Sequence, residues 1–346
     1  YRAADGWIRL HMNYAYHRDA ALRVLAARAE KPAVADAVSR WGARELESAI
    51  VDAGGCAAEL RTIDAWNAHP QGAAVAGEPL VAREGRVSPR LDRAKADAPL
   101  SGVRVLDMTR VIAGPFGTRF LAAMGADVLR IDPRGFEEVG AVLPEATRGK
   151  RTAFLDLRSG DDRNEWEALV RDADMLVHGY RAGAMEALGY GEARLRSLNP
   201  ELAIVRLDAY GWTGAWSARR GFDSLVQMSS GIAYPASGDK PTPLPAQALD
   251  HATGYLVAAA ACRALSDGAA ASRVSLARTA RFLVDLGATG NPDAPGITNP
   301  EDVLEPSKTA WGESLQVRNP GTIEGYEPRW RHEPGPLGRH APRWES

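Results

Sequence analysis

Between residues 101 and 210, short apolar runs alternate with helical patterns. The order is VRVLDMT, AGPFGTRFLAAMGA, DVLRID, TAFLDL, a helix through EWEALVRDA, then DMLVHG and LAIVRLDAY. Strands alternating with helices build a parallel sheet with right-handed crossovers, because each helix must carry the chain back to start the next strand in the same direction. The expected fold class is therefore α/β, with a doubly wound, Rossmann-like parallel-sheet domain over residues 101–285. Ligands in such sheets sit outside the carboxyl ends of the strands.

The flanks read differently. Residues 1–82 carry a strand near 6–12 and helical patterns in HRDAALRVLAARA and RELESAIVDAGG, which predicts a smaller α+β domain with its own apolar positions. Residues 83–100, REGRVSPRLDRAKADAPL, are charged, weakly periodic and broken by prolines, and read as a linker. From 286 to 346 the chain is rich in Pro, Gly, Trp and Arg, and is expected to be an extended segment that wraps over other elements.

Charge narrows the partners. Lys and Arg number 42 against 44 Asp and Glu, a formal charge of -2, so the broad positive field of a nucleic-acid binder is missing and a small-molecule substrate is expected. Cys56 and Cys262 are too few for a disulfide framework and lack zinc-ligand spacing with the histidines, so no metal is expected and a reducing cytoplasm is the expected location. The run of small residues around 254–262 is far short of the roughly 20 needed to span a bilayer, so no membrane partner is expected either.

Two features carry candidate chemistry. Gly114 and Gly117 follow the first strand, but G-x-x-G lacks the G-x-G-x-x-G spacing that brings backbone onto a pyrophosphate, so the glycines are read chiefly as packing residues. Asp250 stands where the small-residue helix DHATGYLVAAAACRAL begins. One reading is an N-cap, whose oxygen accepts a first-turn amide for about 1 kcal/mol. The other is a nucleophile, which the positive end of the helix would keep ionised. His178 ends a predicted strand and His251 adjoins Asp250, yet there is no G-x-S-x-G elbow for a Ser-His-Asp triad.

Several stretches occur in a specific order: PLSGVRVLDMTRVIAGPFGTRFLAAMGADVLRID, RGKRTAFLDLR, ADMLVHGYRAGAMEALGYG, LNPELAIVRLDAYGWTGAW, GFDSLVQMSSG and ALDHATGYLVAAAACRAL. Together they resemble the family III CoA-transferases, which include formyl-CoA:oxalate and carnitine CoA-transferases and the related alpha-methylacyl-CoA racemases. The resemblance implies that Asp250 is the catalytic nucleophile and that coenzyme A is substrate and product. It implies CoA contacts at Val111, Ile112 and Ala113, at Arg134, at Leu155, Asp156, Leu157 and Arg158, at Gly179, Tyr180 and Arg181, and at Arg220 with Phe222. It also implies an interlocked homodimer.

The chain departs from the pattern in places. Racemases pair their aspartate with a histidine in a G-H-D stretch, and here the text is Gly221-Phe222-Asp223. Moving a proton between two faces of a carbon needs two acid/base groups, and Phe222 cannot titrate, so a transferase is preferred to a racemase. A non-catalytic CoA-binding half is a further alternative. Gly179 and Ala182 stand where relatives often carry Asn and Pro, and the glycine-rich loop of some transferases is not found. The small domain resembles one that ordinarily follows the nucleotide-binding domain, whereas here it comes first. A rearranged or tandem member, or a missing earlier half, is expected to explain that order.

Overall fold

The computed structural model describes residues 1–88, 97–136, 138–287, 299–321 and 323–345. In chain order its elements begin with β1 (Ile8–Leu10), α1 (Ala15–Leu25), α2 (Lys31–Val38), α3 (Ala43–Asp52), β2 (Ala57–Glu59), α4 (Ile63–Ala68), α5 (Pro70–Ala76) and β3 (Ala82–Arg86). Then come β4 (Arg104–Met108), α6 (Ala113–Ala123), β5 (Asp127–Asp132), α7 (Leu143–Ala146), β6 (Arg151–Phe154), α8 (Gly160–Asp172) and β7 (Met175–His178). The chain continues through α9 (Ala184–Ala187), α10 (Glu192–Leu198), β8 (Ala203–Asp208), α11 (Asp223–Ser229) and α12 (Ala248–Asp267). It closes with β9 (Ala269–Ser275), α13 (Leu276–Asp285), β10 (Leu304–Thr309) and β11 (Gly312–Val317).

These elements form two compact units: Tyr1–Leu80 with Asp208–Asp250 and Val274–Ala288, and Val81–Leu207 with His251–Arg273 and Thr289–Ser346. The sequence reading had assigned 101–285 to one domain. It missed that 208–250 packs with the first 80 residues, because hydrophobic period reports which face of an element is buried and not which neighbour buries it. Residues 83–86, read as the start of a linker, belong to strand β3, antiparallel to β9, and residues 89–96 of that linker lie outside the described residues. The alternation of charge and small residues hid an edge strand whose partner lies nearly two hundred residues away.

The second unit holds a seven-stranded sheet of order β3-β9-β8-β7-β4-β5-β6. β4 pairs in parallel with β5 and β7, β5 with β6, and β7 with β8. The order runs outward from β4 in both directions, which makes the carboxyl ends around β4 a topological switch point. Because side chains alternate, Leu106, Leu129, Leu176 and Ile204 share one face, where they pack with Trp166, Leu169 and Val170 of α8 and Leu195 of α10. Trp344, near the chain's end, packs against the same cluster.

Asp107 and Arg130, register partners on β4 and β5, occupy the opposite parity. Asp107 is fully buried and accepts four hydrogen bonds: from Thr109 N–H at 2.9 Å and its hydroxyl at 2.5 Å, from the Thr118 hydroxyl of α6 at 2.6 Å, and from Lys150 Nζ at 2.8 Å. Burial opposes its ionisation, and the Lys150 and Arg130 cations outweigh that effect and hold Asp107 below the ordinary carboxylate range. Lys150 also donates to the Pro115 carbonyl at 2.8 Å, so the ion pair pins the first turn of α6 to the sheet. Along α6, a Cβ on Gly117 would lie 2.7 Å from the Gly254 carbonyl oxygen, and one on Gly254 would lie 2.7 Å from that of Ala113. The glycines therefore let two helix backbones, α6 and the later part of α12, touch.

The first unit is built on β1 and β2, paired antiparallel, with α3 against them. Leu46 and Ile50, four apart on α3, join Ile8, Val38 and Ala57 in its core. Glu47, on the same helix, is buried and pairs with Arg61 at 2.5 Å and Arg219 at 3.1 Å. α11 is buried along its length and packs on β1 and β2.

Lys150→Met leaves the Asp107 carboxylate buried without its cation. Unfolding in urea is expected to show a loss of about 3–5 kcal/mol, the cost of breaking a buried pair from one side.

Candidate active site

A cavity of about 220 Å³ opens in the second unit at the carboxyl ends of β4 to β7. Met108 and Arg110 line it after β4, Ile131 to Pro133 after β5, Leu155 to Arg158 after β6, and Tyr180 after β7, with Leu188 completing the wall. Its lining is mostly apolar and carries two guanidinium groups, each beside a carboxylate: Arg110 lies 3.8 Å from Asp132, and Arg158 pairs with Asp156.

Arg110 is held rather than free. Its guanidinium carbon lies 3.8 Å from the centre of the Phe136 ring and 5.3 Å from that of Tyr180, and it donates to the Tyr180 hydroxyl at 3.3 Å. Cation–π contact of this kind fixes the plane of the guanidinium without consuming all its donors. Arg158 is exposed and pairs with Asp156 at 2.8 Å; hydrogen bonds from Arg158 hold the Asp156 carboxyl below its ordinary range. Burial raises Asp132 despite Arg130, which donates to it at 2.8 Å.

The loop between β4 and α6 is strained. Val111 has φ of 65°, a left-handed conformation that a β-branched residue adopts at a cost of about 1–2 kcal/mol. Its N–H donates to Glu138 Oε2 at 3.0 Å, and the same oxygen accepts from Arg130 at 3.0 Å. That chain of contacts holds Ile112 and Ala113 at the start of α6.

In the first unit, Asp250 lies within the first turn of α12 and is 7% exposed. The helix starts at Ala248, two residues earlier than the sequence suggested, so Asp250 is not its N-cap. Its own N–H donates instead to the Asp223 carboxylate at 2.9 Å. Asp223 opens α11 and also accepts from Gln227 Nε2 at 2.5 Å. Burial, and then the Asp223 charge, push the Asp250 carboxyl well above its ordinary value. The expectation that the helix end keeps this acid ionised is thus reversed, since desolvation and a like charge outweigh the dipole.

Residues 100–286 match the model of CoA-transferase family III. The chain belongs to that family. It is 33% identical over 208 residues, 56% of this chain and 53% of the relative, to a probable fatty acyl-CoA transferase, Rv3272, of Mycobacterium tuberculosis. It is 33% identical over 150 residues, 40% of this chain and 39% of the relative, to an acetyl-CoA:oxalate CoA-transferase of Acetobacter aceti. The chain thus spans about half or less of the length of these curated relatives. A crystal structure of Rv3272 superposes with a TM-score of 0.62 at 22% identity, covering 71% of this chain and 98% of that one, which shows a shared fold.

Within the family frame, the residues inferred to contact CoA fall into distinct settings. Leu155, Asp156, Leu157, Arg158 and Tyr180 line the cavity. Val111, Ile112 and Ala113 form the strained helix entry, outside the lining. Arg134, next to the lining residue Pro133, reaches Asp162 at 3.5 Å, and Arg181 is exposed. Gly179 has ordinary space beside Leu207, so no steric need for glycine exists there.

Arg220 and Phe222 belong to the first unit. Arg220 donates to the Gly54 carbonyl at 3.0 Å, and Phe222 stacks on His11 with ring centres 3.6 Å apart, so both carry structural contacts. Sequence reasoning missed Arg110, Phe136, Glu138 and Gln227. Arg110 directly precedes the Val111 loop, and that adjacency was the available signal. His178 is buried opposite Arg206 on β8, and burial lowers its pKa to about 3, so it is neutral. No group of three His, Cys, Asp or Glu able to hold a metal occurs among the described residues, and no helix among them is long and apolar enough to cross a membrane.

Because native Asp250 keeps its proton to higher pH than the unfolded chain does, the native state binds more protons in the interval between the two values. Stability is therefore fully present below the ordinary carboxylate range and falls as pH rises through the raised native value. Asp250→Asn removes this loss. Calorimetry is expected to show the variant melting higher than the wild type at pH 8, by roughly 2–4 °C per kcal/mol, with the two curves converging near pH 4.

Proposed function

We propose that the protein is a CoA-transferase that moves CoA between an acyl-CoA thioester and a carboxylic acid through a covalent intermediate on Asp250. The observation that carries this reading is a buried, unusually basic carboxylate in the first turn of α12, inside the stretch that matches the family. A carboxylate deprived of water is a stronger nucleophile than a hydrated one, once ionised.

The steps balance without a redox partner. An Asp250 oxygen attacks the thioester carbonyl carbon, the C–S bond breaks, and CoA leaves as thiolate from a mixed anhydride. The thiolate then attacks the Asp250 carboxyl carbon, releasing the first acid and leaving an aspartyl–CoA thioester. An acceptor carboxylate attacks that thioester, expels the thiolate and forms a second anhydride. The thiolate closes the cycle by attacking the acceptor's carbonyl, which frees Asp250. In this reading the cavity at the carboxyl ends of β4 to β7 takes the nucleotide end of CoA, with Arg110 and Arg158 toward its phosphates. The same reading takes the protein as a cytoplasmic homodimer.

Incubation with a panel of acyl-CoA donors is expected to yield a hydroxylamine-sensitive adduct on Asp250, located by peptide mass. Asp250→Ala abolishes the adduct and keeps CoA binding. No adduct from any donor would count against the mechanism. Arg110→Ala is expected to weaken CoA binding about tenfold by calorimetry while leaving the adduct chemistry at saturating donor intact.

A further inference from the structure

Gln227 occupies the third position of the contact that ends at Asp250. It lies on α11 and is buried. Its Nε2 donates to Asp223 Oδ1 at 2.5 Å and reaches the Ala246 carbonyl at 3.4 Å, while its Oε1 accepts the Leu244 N–H at 2.8 Å. Its own carbonyl accepts the Ala233 N–H at 3.0 Å. One side chain therefore grips the proline-rich segment 242–247, which leads into α12, and at the same time orients the carboxylate that receives the Asp250 N–H. All of these groups belong to the first unit.

We propose that Gln227 is the positioning residue for the nucleophile: by donating to Asp223 and anchoring residues 244 and 246 it fixes the turn from which Asp250 attacks. The inference rests on the reading of Asp250 as nucleophile. A side-chain amide is the group this place requires. It offers an acceptor to the loop and a donor to the acid, whereas a carboxylate offers acceptors alone and a hydrocarbon offers neither. Glutamate at 227 would keep the Leu244 anchor and turn the Asp223 contact into two facing oxygens. Leucine would remove both.

The test compares Gln227→Glu and Gln227→Leu with the wild type at pH 8, in the full chain, using the acyl-CoA that labels wild-type Asp250. The expected result is that both variants form the adduct at least roughly tenfold more slowly, with KM for the donor within twofold and far-ultraviolet dichroism unchanged, since displacement of a reacting group costs rate rather than binding. A purely structural role as loop anchor predicts the opposite pattern, with Gln227→Glu near wild-type rate and only Gln227→Leu impaired. That outcome overturns the proposal. Equal loss of rate and of donor affinity in both variants also overturns it. Absence of an adduct on the wild type would remove the underlying reading, and with it this one; a wild-type adduct with an unimpaired Gln227→Glu removes this one alone.

Discussion

The Asp107 carboxylate is the constraint from which the α/β unit is organised. An ion taken fully out of water costs several kcal/mol unless its lone pairs are filled, and here two threonines, one backbone amide and the Lys150 ammonium fill them. Those donors come from β4's own end, from α6 and from the residue before β6. Satisfying one buried charge therefore fixes the angle at which α6 leaves the sheet. The short loop that must connect β4 to so constrained a helix is left with Val111 in a left-handed conformation. Glu138 and Arg130 then hold that loop in place.

The first unit applies the same logic to a different end. Glu47 pairs with Arg61 and Arg219, and Glu59 pairs with Arg61, so two carboxylates balance two guanidinium groups there. Near α11, by contrast, two carboxylates share a buried environment, with Asp223 receiving the backbone amide of Asp250. Burial first, and then the like charge of Asp223, keep the Asp250 carboxyl basic. Such a site is a stability cost that structural packing alone does not require, and perturbed acids of this kind cluster where chemistry is done.

How much of this could be read in advance varied with the range of the interaction. β4, β5, β7 and β8 were legible because each is an apolar run of fixed length. α3 and α8 were legible from helical period. The edge strand β3 was not, since its side chains are mostly polar and only pairing with β9 makes it a strand. Leu155 to Arg158 and Tyr180 could be named from the ordered motifs, while Arg110 and Gln227 matter through partners at positions 136, 180 and 223 that no local window contains. Asp250 could be named from sequence as an acid near a helix start, yet its electrostatics were expected with the opposite sign to the one that burial gives it. The dipole is a local property and can be read from sequence, whereas burial and the approach of Asp223 are not.

By itself the sequence determined the alternation of strands and helices, hence the parallel sheet and the end at which a ligand cavity opens, because those follow from short-range period and the handedness of crossovers. It also marked Asp250 as an acid near the start of the small-residue helix. Tertiary structure alone decided that residues 208–250 join the first eighty, that Gly117 and Gly254 bring two helices into backbone contact, and that Asp250 carries a raised affinity for its proton. Each of these depends on groups brought together across long stretches of chain, where desolvation and close packing act on distance in space and not on spacing in sequence.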